Sequence, residues 1–162
     1  MKEVLCIIPA RGGSKGLHRK NIKKLCGKPL IYYTILPAMK SNLVSRVMIN
    51  TDDQEIAKIA KSCGAEVPFL RPSILGEDSS TIEDVLKDHL NWLKQKENYT
   101  PDIVLYLQPT DIFRTIEQMD ECIRKLIDND DLDSCFVGYP THKKFWKSKN
   151  NSFKRINTNV YQ

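Results

Sequence analysis

No acidic residue stands between Glu3 and Asp52 of this 162-residue chain, while Arg11, Lys15, Arg19, Lys20, Lys23, Lys24 and Lys28 crowd one short window. With no carboxylate to offset them, these cations make a field that attracts anions, whether nucleic acid, nucleotide or acidic sugar. A second basic cluster follows at Lys143, Lys144, Lys147, Lys149, Lys154 and Arg155. No apolar run approaches the length that spans a bilayer, and the N-terminal "MKEVLCIIPA" is broken too soon by Pro9 and Arg11 to act as a secretory signal. A cytoplasmic protein without a membrane partner is expected. The five cysteines form no C-x-x-C pair and are odd in number, so neither a disulfide framework nor a zinc site is suggested. Cys6 and Cys135 sit in apolar runs and read as small core residues. The three histidines, His18, His89 and His142, lack metal-ligand spacing, and His89 reads as a helix-surface or packing residue. There is also no internal repeat and no low-complexity tract.

What is present is an alternation. "EVLCII" is aliphatic without polar interruption, as in a strand buried on both faces. "CGKPLIYYTILPAMK" predicts a helix from about Pro29 to Met39, with Gly27 as the break before it. "SRVMINT" is a second strand. Asp52 and Glu55 then fit a capping box for a helix that Gly64 stops. "AEVPFL" predicts a short edge strand, weakened by Pro68. Ser80 and Glu83 fit another capping box, opening "TIEDVLKDHLNWLKQK". "DIVLYLQ" is a third strong strand, Thr115 and Gln118 cap a helix to about Asp128, and "DSCFVGY" predicts a fourth strand. Strands alternating with helices in this way predict an α/β fold with a mostly parallel, Rossmann-like sheet. Ligands of such sheets bind beyond the carboxyl ends of the strands, which singles out residues 9–21, 51–53 and 108–115.

The first of these segments, "IPARGGSKGLHRKN", matches neither the P-loop nor the G-x-G-x-x-G fingerprint. Its chemistry still suits a phosphate. Glycines admit close backbone N–H groups, Ser14 adds a donor, and Arg11, Lys15 and Lys20 supply charge. On composition alone, a solvated basic loop accounts for it as well.

The order of residues goes further. "IPARGGSKGLHRKN" resembles the signature of the acylneuraminate cytidylyltransferases, or CMP-sialic acid synthetases, and the resemblance continues through "GKPLIYYTI", "TDDQEIAKIAKSCGAEVPFLRP", "DSST" and "LYLQPTDIFRT". It implies a sheet of the nucleotide-diphospho-sugar transferase type, with a nucleotide-binding domain over residues 1–140 and the start of a dimerisation and sugar-side segment over 141–162. It also implies that CTP and a nine-carbon 2-keto sugar acid, of the sialic or legionaminic type, are joined to give the CMP-sugar and pyrophosphate, with Mg²⁺ as cofactor and a homodimer as the assembly. Carried over by motif, Arg11 and Lys20 hold the triphosphate and stabilise the transition state. Ala10, Gly12, Gly13, Ser14, Lys15 and Asn21 contact the nucleotide, and Ser80 or Thr81 contacts cytosine. Gln108 and Arg114 lie near the sugar acid. Ser80 and Thr81 are also good helix caps, and Gln108 could simply satisfy a strand end.

Two departures from the family pattern stand out. Its usual Q-P-T-S-P-L-R reads "QPTDIFR" here, so Asp111 brings a carboxylate that could ligate Mg²⁺, point to solvent or cap the next turn. The chain ends at Gln162, before the family's N-G-A-I-Y segment and the late D-x-D pair that binds Mg²⁺. From this the resemblance implies a sheet incomplete at the C-terminus and a fragment that could be an inactive nucleotide-binding remnant. Pseudaminic acid cytidylyltransferases share the first loop and a "VPFLRP"-like segment, although "LQPT" departs from their usual third-strand motif. A nucleic-acid-binding module would also use the basic clusters, but no aromatic residue is interleaved with the first loop's cations and no nucleic-acid motif occurs.

Overall fold

The computed structural model describes residues 2–14, 16–76, 80–138, 146–149 and 152–155. Lys15, Asp78, Ser79, Lys143 and Lys144 lie outside the described residues, as does most of the segment 141–162.

Strand β1 (Val4–Pro9) is the centre of the fold because nothing along it is polar: Val4 through Ile8 are all buried. It pairs in parallel with β4 (Arg46–Asn50) on one side and β5 (Ile103–Tyr106) on the other. Successive side chains of a strand point to opposite faces, and the core divides accordingly. Cys6 and Ile8 pack with Ile31, Ile35, Ile56, Ala60 and Met119, from α1 (Tyr32–Lys40), α2 (Gln54–Ser62), α4 (Ile116–Asp128) and the turn before α1. Leu5 and Ile7 pack with Met48 of β4 and Leu93 of α3 (Ile82–Glu97) on the other face. Each fully buried aliphatic side chain contributes roughly 1.5–3 kcal/mol, so this one strand anchors both helical layers.

The expected α/β class with a parallel sheet is what forms, but several local expectations give way. The segment 24–29 is a hairpin, β2 (Lys24–Leu25) paired with β3 (Lys28–Pro29), turning through positive φ at Cys26 (46°) and Gly27 (81°). Helix α1 therefore starts at Tyr32 rather than Pro29 and carries Pro37 inside it. "AEVPFL" contributes one bridge, Glu66 beside Met48, instead of a strand. Residues 133–138 of "DSCFVGY" form no strand; Phe136 is 88% exposed and Cys135 only half-buried, so no layer of described residues covers this apolar run. The polar segment after it, which has only weak periodicity, holds a second hairpin, β6 (Trp146–Lys149) with β7 (Ser152–Arg155).

The capping boxes illustrate how a cap shifts by one residue. Thr115 with Gln118 caps α4 as expected. Helix α3 is capped by Thr81 with Asp84 rather than Ser80 with Glu83, and the Ser80 hydroxyl donates instead to the Ile74 carbonyl oxygen at 2.8 Å. Helix α2 is capped by Asp53, whose Oδ1 accepts from the N–H groups of Glu55 and Ile56, both at 2.9 Å. That leaves Asp52 for another task.

Candidate active site

Because β1, β4 and β5 are parallel, their carboxyl ends share one edge, and the segments that leave them meet there. The Ala10 N–H donates to the Asn50 carbonyl oxygen at 2.9 Å, tying the exit of β1 to that of β4. The loop after β1 is then held from below by two carboxylates. Asp52 Oδ1 accepts the Gly12 N–H at 3.0 Å. Asp53 Oδ1 accepts from Arg19 Nη2 at 3.1 Å, and Arg19 also reaches Glu55 at 2.7 Å. Burial alone would raise the pKa of Asp53, but the Ile56 N–H and the Arg19 guanidinium outweigh it and hold the carboxyl below its ordinary value. The approach is so close that a Cβ on Gly12 would meet Asp53 Oδ2 at 2.8 Å, which is why glycine stands there. Gly13 and Gly16 have open space around them and carry no such demand.

Asn21 is buried and pins the far end of the loop, donating from Nδ2 to the Arg11 carbonyl oxygen at 3.1 Å while its own carbonyl oxygen accepts the Ile31 N–H at 2.8 Å. Its neighbour Lys20 sits in a single 3-10 turn, Lys20–Ile22, that follows Arg19 in a left-handed conformation (φ 53°). Asn21 thus acts through the backbone of the loop as well as lining its cavity.

Above the loop lies an open cavity of about 530 Å³. Arg11, Ser14, Gly16, Lys20 and Asn21 line it from the first loop, Ser80, Thr81 and Val85 from the start of α3, and Gln108, Pro109 and Thr110 from the exit of β5. Arg71, unforeseen from the sequence, completes the wall. Among the described residues, three cationic side chains and no carboxylate line this space. Arg71 is almost wholly buried, with Nη1 donating to Asn50 Oδ1 at 3.1 Å and Nη2 3.7 Å from Asp52. Burial lowers its pKa, the charge of Asp52 counters that, and the nearby positive charge of Arg11 adds to the lowering. Two guanidiniums facing one cavity favour an anionic ligand there. Arg11 Nη1 donates to the Gly76 carbonyl oxygen at 3.2 Å. A Cβ on Gly76 would lie 2.6 Å from Asp52 Oδ2, so Asp52 closes one side of the site through Gly12, Gly76 and Arg71 together.

The remaining expected residues fall in a neighbouring cleft of about 600 Å³, bordered by β5, α4 and residues 135–137. Gln108 belongs to both spaces. Arg114 lies in the second with Asp111, Nη2 to Oδ2 at 2.8 Å, and Arg114 Nη1 is buried without a partner among the described residues. Asp111 is thus turned to Arg114 and away from the first loop's cavity. The described residues contain no cluster of three or more side chains suited to a metal, and the one expected metal ligand is engaged by a guanidinium.

Residues 5–158 match the family model described as "Cytidylyltransferase". A pseudaminic acid cytidylyltransferase of Campylobacter jejuni is 34% identical over 161 residues, covering 98% of this chain and 69% of that protein. A CMP-N,N'-diacetyllegionaminic acid synthase of Legionella pneumophila is 42% identical over 114 residues, covering 70% of this chain and 49% of that protein. Among solved structures, a CMP:2-keto-3-deoxy-manno-octonic acid synthetase complexed with CTP superposes with a TM-score of 0.68 at 22% identity, over 80% of this chain and 49% of that one; this likeness concerns the fold. The chain spans between about half and about seven tenths of the length of these proteins.

Proposed function

The chain belongs to the cytidylyltransferase family, and from that premise we propose that its first cavity holds CTP and that it transfers the cytidylyl group to a nonulosonic acid. The observation that carries this reading is the cavity wall, where Arg11, Lys20 and Arg71 converge on one space. A triphosphate is the ligand such a wall suits best. In the reaction, the sugar's anomeric hydroxyl gives up its proton to solvent as its oxygen bonds to the α-phosphorus, the bond to the β-phosphate breaks and pyrophosphate leaves. Charge grows on phosphate oxygens during that exchange, and positioned cations lower its barrier. Lys20 and Arg11 take that role. The start of α3, with Ser80 and Thr81, faces the same space and is assigned to the base. The sugar acid is assigned to the second cleft, where the buried, unpartnered Nη1 of Arg114 offers a donor to its carboxylate. Gln108, shared by both spaces, stands between donor and acceptor. Magnesium enters the proposal only as the counter-ion of the triphosphate, since it commonly binds through substrate phosphates with few protein carboxylates.

The relatives' names point to different nine-carbon acids. The pseudaminic acid enzyme aligns along nearly the whole chain, and the legionaminic acid enzyme is more alike over a shorter stretch. The two acids therefore stand level here, although "LQPT" alone spoke against the first. The test is pyrophosphate release from CTP and Mg²⁺ with a panel of pseudaminic, legionaminic and N-acetylneuraminic acids. Release with at least one acid, and none when CTP is replaced by ATP, is expected. Release with none of them would remove the transferase reading for this chain.

A further inference from the structure

Beneath the nucleotide cavity, a line of polar contacts runs through the fold. Met48 and Asn50 lie two apart on β4 and so share the face that packs on α3. His89 projects from α3 between them and is fully buried. Its Nδ1 is 2.9 Å from Asn50 Nδ2, and its Nε2 is 3.3 Å from Met48 Sδ. Asn50 Oδ1 accepts from Arg71 Nη1 at 3.1 Å. Directions follow from donor and acceptor chemistry. A guanidinium only donates, so Asn50 must present its oxygen to Arg71 and its amide N–H to His89. Nδ1 must then accept, and the ring proton must sit on Nε2, facing the sulfur of Met48.

The loop that carries Arg71 is fastened to the same imidazole a second time. Phe69, two residues earlier, packs on His89 with ring centroids 5.1 Å apart and stacks on Trp92 at 4.6 Å. The Arg71 N–H donates to the Thr51 carbonyl oxygen at 2.9 Å. Arginine carries large side-chain entropy that a binding site must lose. Here most of it is already spent before a ligand arrives.

We infer that His89 is a positioning residue for the nucleotide site, acting as a neutral Nε2–H imidazole that fixes Asn50 and, through it, the aim of Arg71. The inference rests on the reading of the cavity as a CTP site. Its structural half stands separately, because the tautomer is a property of the protein without ligand.

Two measurements on the whole chain test it. First, the long-range ¹⁵N–¹H spectrum of the imidazoles at pH 7 is expected to show one histidine as the neutral Nε2–H form. It should be absent from the spectrum of His89→Asn. A His89 signal of the Nδ1–H or cationic form overturns the relay whether or not CTP binds. Second, CTP affinity is measured by titration calorimetry for the protein, His89→Leu, His89→Asn, Arg71→Ala and Arg71→Ala/His89→Leu. Preorganising one long side chain is worth up to ~10-fold in affinity, so His89→Leu should weaken CTP by about that factor. His89→Asn, which restores an acceptor near the Nδ1 position, should recover most of it. In the Arg71→Ala background, His89→Leu should cost nothing further. An equal loss in both backgrounds would make His89 an ordinary packing residue and overturn the inference. If His89→Leu does not fold, the comparison of His89→Asn with His89→Gln, which displaces the acceptor, decides: equal affinities overturn it. CTP failing to bind the unaltered protein would instead defeat the proposed function, leaving the tautomer measurement to judge the relay.

Discussion

Lys20→Ala is expected to lower the rate of pyrophosphate release about 10²- to 10³-fold, the usual cost of removing one positioned group that stabilises developing charge. The same substitution should move Tm by no more than about 2 °C, since a side chain outside the packing changes stability by at most ~0.5 kcal/mol. The structure separates these two effects. Lys20 lines the cavity half-buried, and among the described residues no carboxylate pairs with it. Its 3-10 turn is held by backbone contacts, the Lys20 N–H to Leu17 and the Lys23 N–H to Lys20, that any residue would make. The adjacent cation behaves oppositely. Arg19 is tied to Asp53 and Glu55, so Arg19→Ala should cost stability and act on turnover through the loop's shape. The loss for Lys20→Ala should fall mainly on kcat. A matching drop in Tm, or a rate within a few-fold of the unaltered protein, would take Lys20 out of the chemistry.

Acidification is expected to remove about 3 kcal/mol of stability between pH 6.5 and pH 4, at ~1.4 kcal/mol per pKa unit. The source is His89, whose pKa burial pushes down from 6.5 to about 4, with the Arg46 charge adding to the shift. The sign follows from proton counting. Below 6.5 the unfolded chain binds a proton at this histidine that the folded chain refuses. The full contribution is therefore present above pH 6.5, declines through the window, and is gone once the folded group also titrates near 4. Asp53 and Asp84 act elsewhere: both are held below the ordinary carboxylate value of 3.8, so their contributions persist until the pH falls below it. Urea midpoints measured across pH 4–7 should slope for the unaltered protein and lie nearly flat for His89→Asn. Identical slopes would assign the acid sensitivity to other groups.

Much of the frame is legible in residue order because it depends on local rules. An uninterrupted "VLCII" forms a strand with both faces covered, and the exits of parallel strands fall on one edge, so residues 9–21 and 108–115 meet without any distance being known. Where two residues satisfy one rule, the sequence does not choose. "TDD" offers two caps for α2 and "SST" two for α3, and in each case the later residue caps while the earlier one serves another part of the fold. Asp52 illustrates the reason: its partners Gly12, Gly76 and Arg71 are distant in sequence. Arg71 stayed hidden for the same cause. A lone arginine in "PFLRP" reads as loop surface, and only the convergence of β4, α3 and the first loop makes it a buried cation facing a cavity. His89 fits either surface or packing by sequence, and its full burial against Asn50 and Met48 decides it. The tail of "DSCFVGY" failed differently. Its apolar pattern is strand-like, but Phe136 and Val137 lie exposed beside the cleft along β5 and do not pair with that strand's outer edge.

Binding of CTP is the most direct test of the central claim that the cationic cavity at the sheet's carboxyl edge is a triphosphate site. Calorimetric titration of the whole chain with CTP and Mg²⁺ should give a saturable one-to-one isotherm. Pyrophosphate should compete with it, and Arg11→Ala and Arg71→Ala should each weaken it. No saturable CTP binding, together with oligonucleotide binding that collapses steeply with added salt, would contradict the account and mark the basic surface as a nucleic-acid interface.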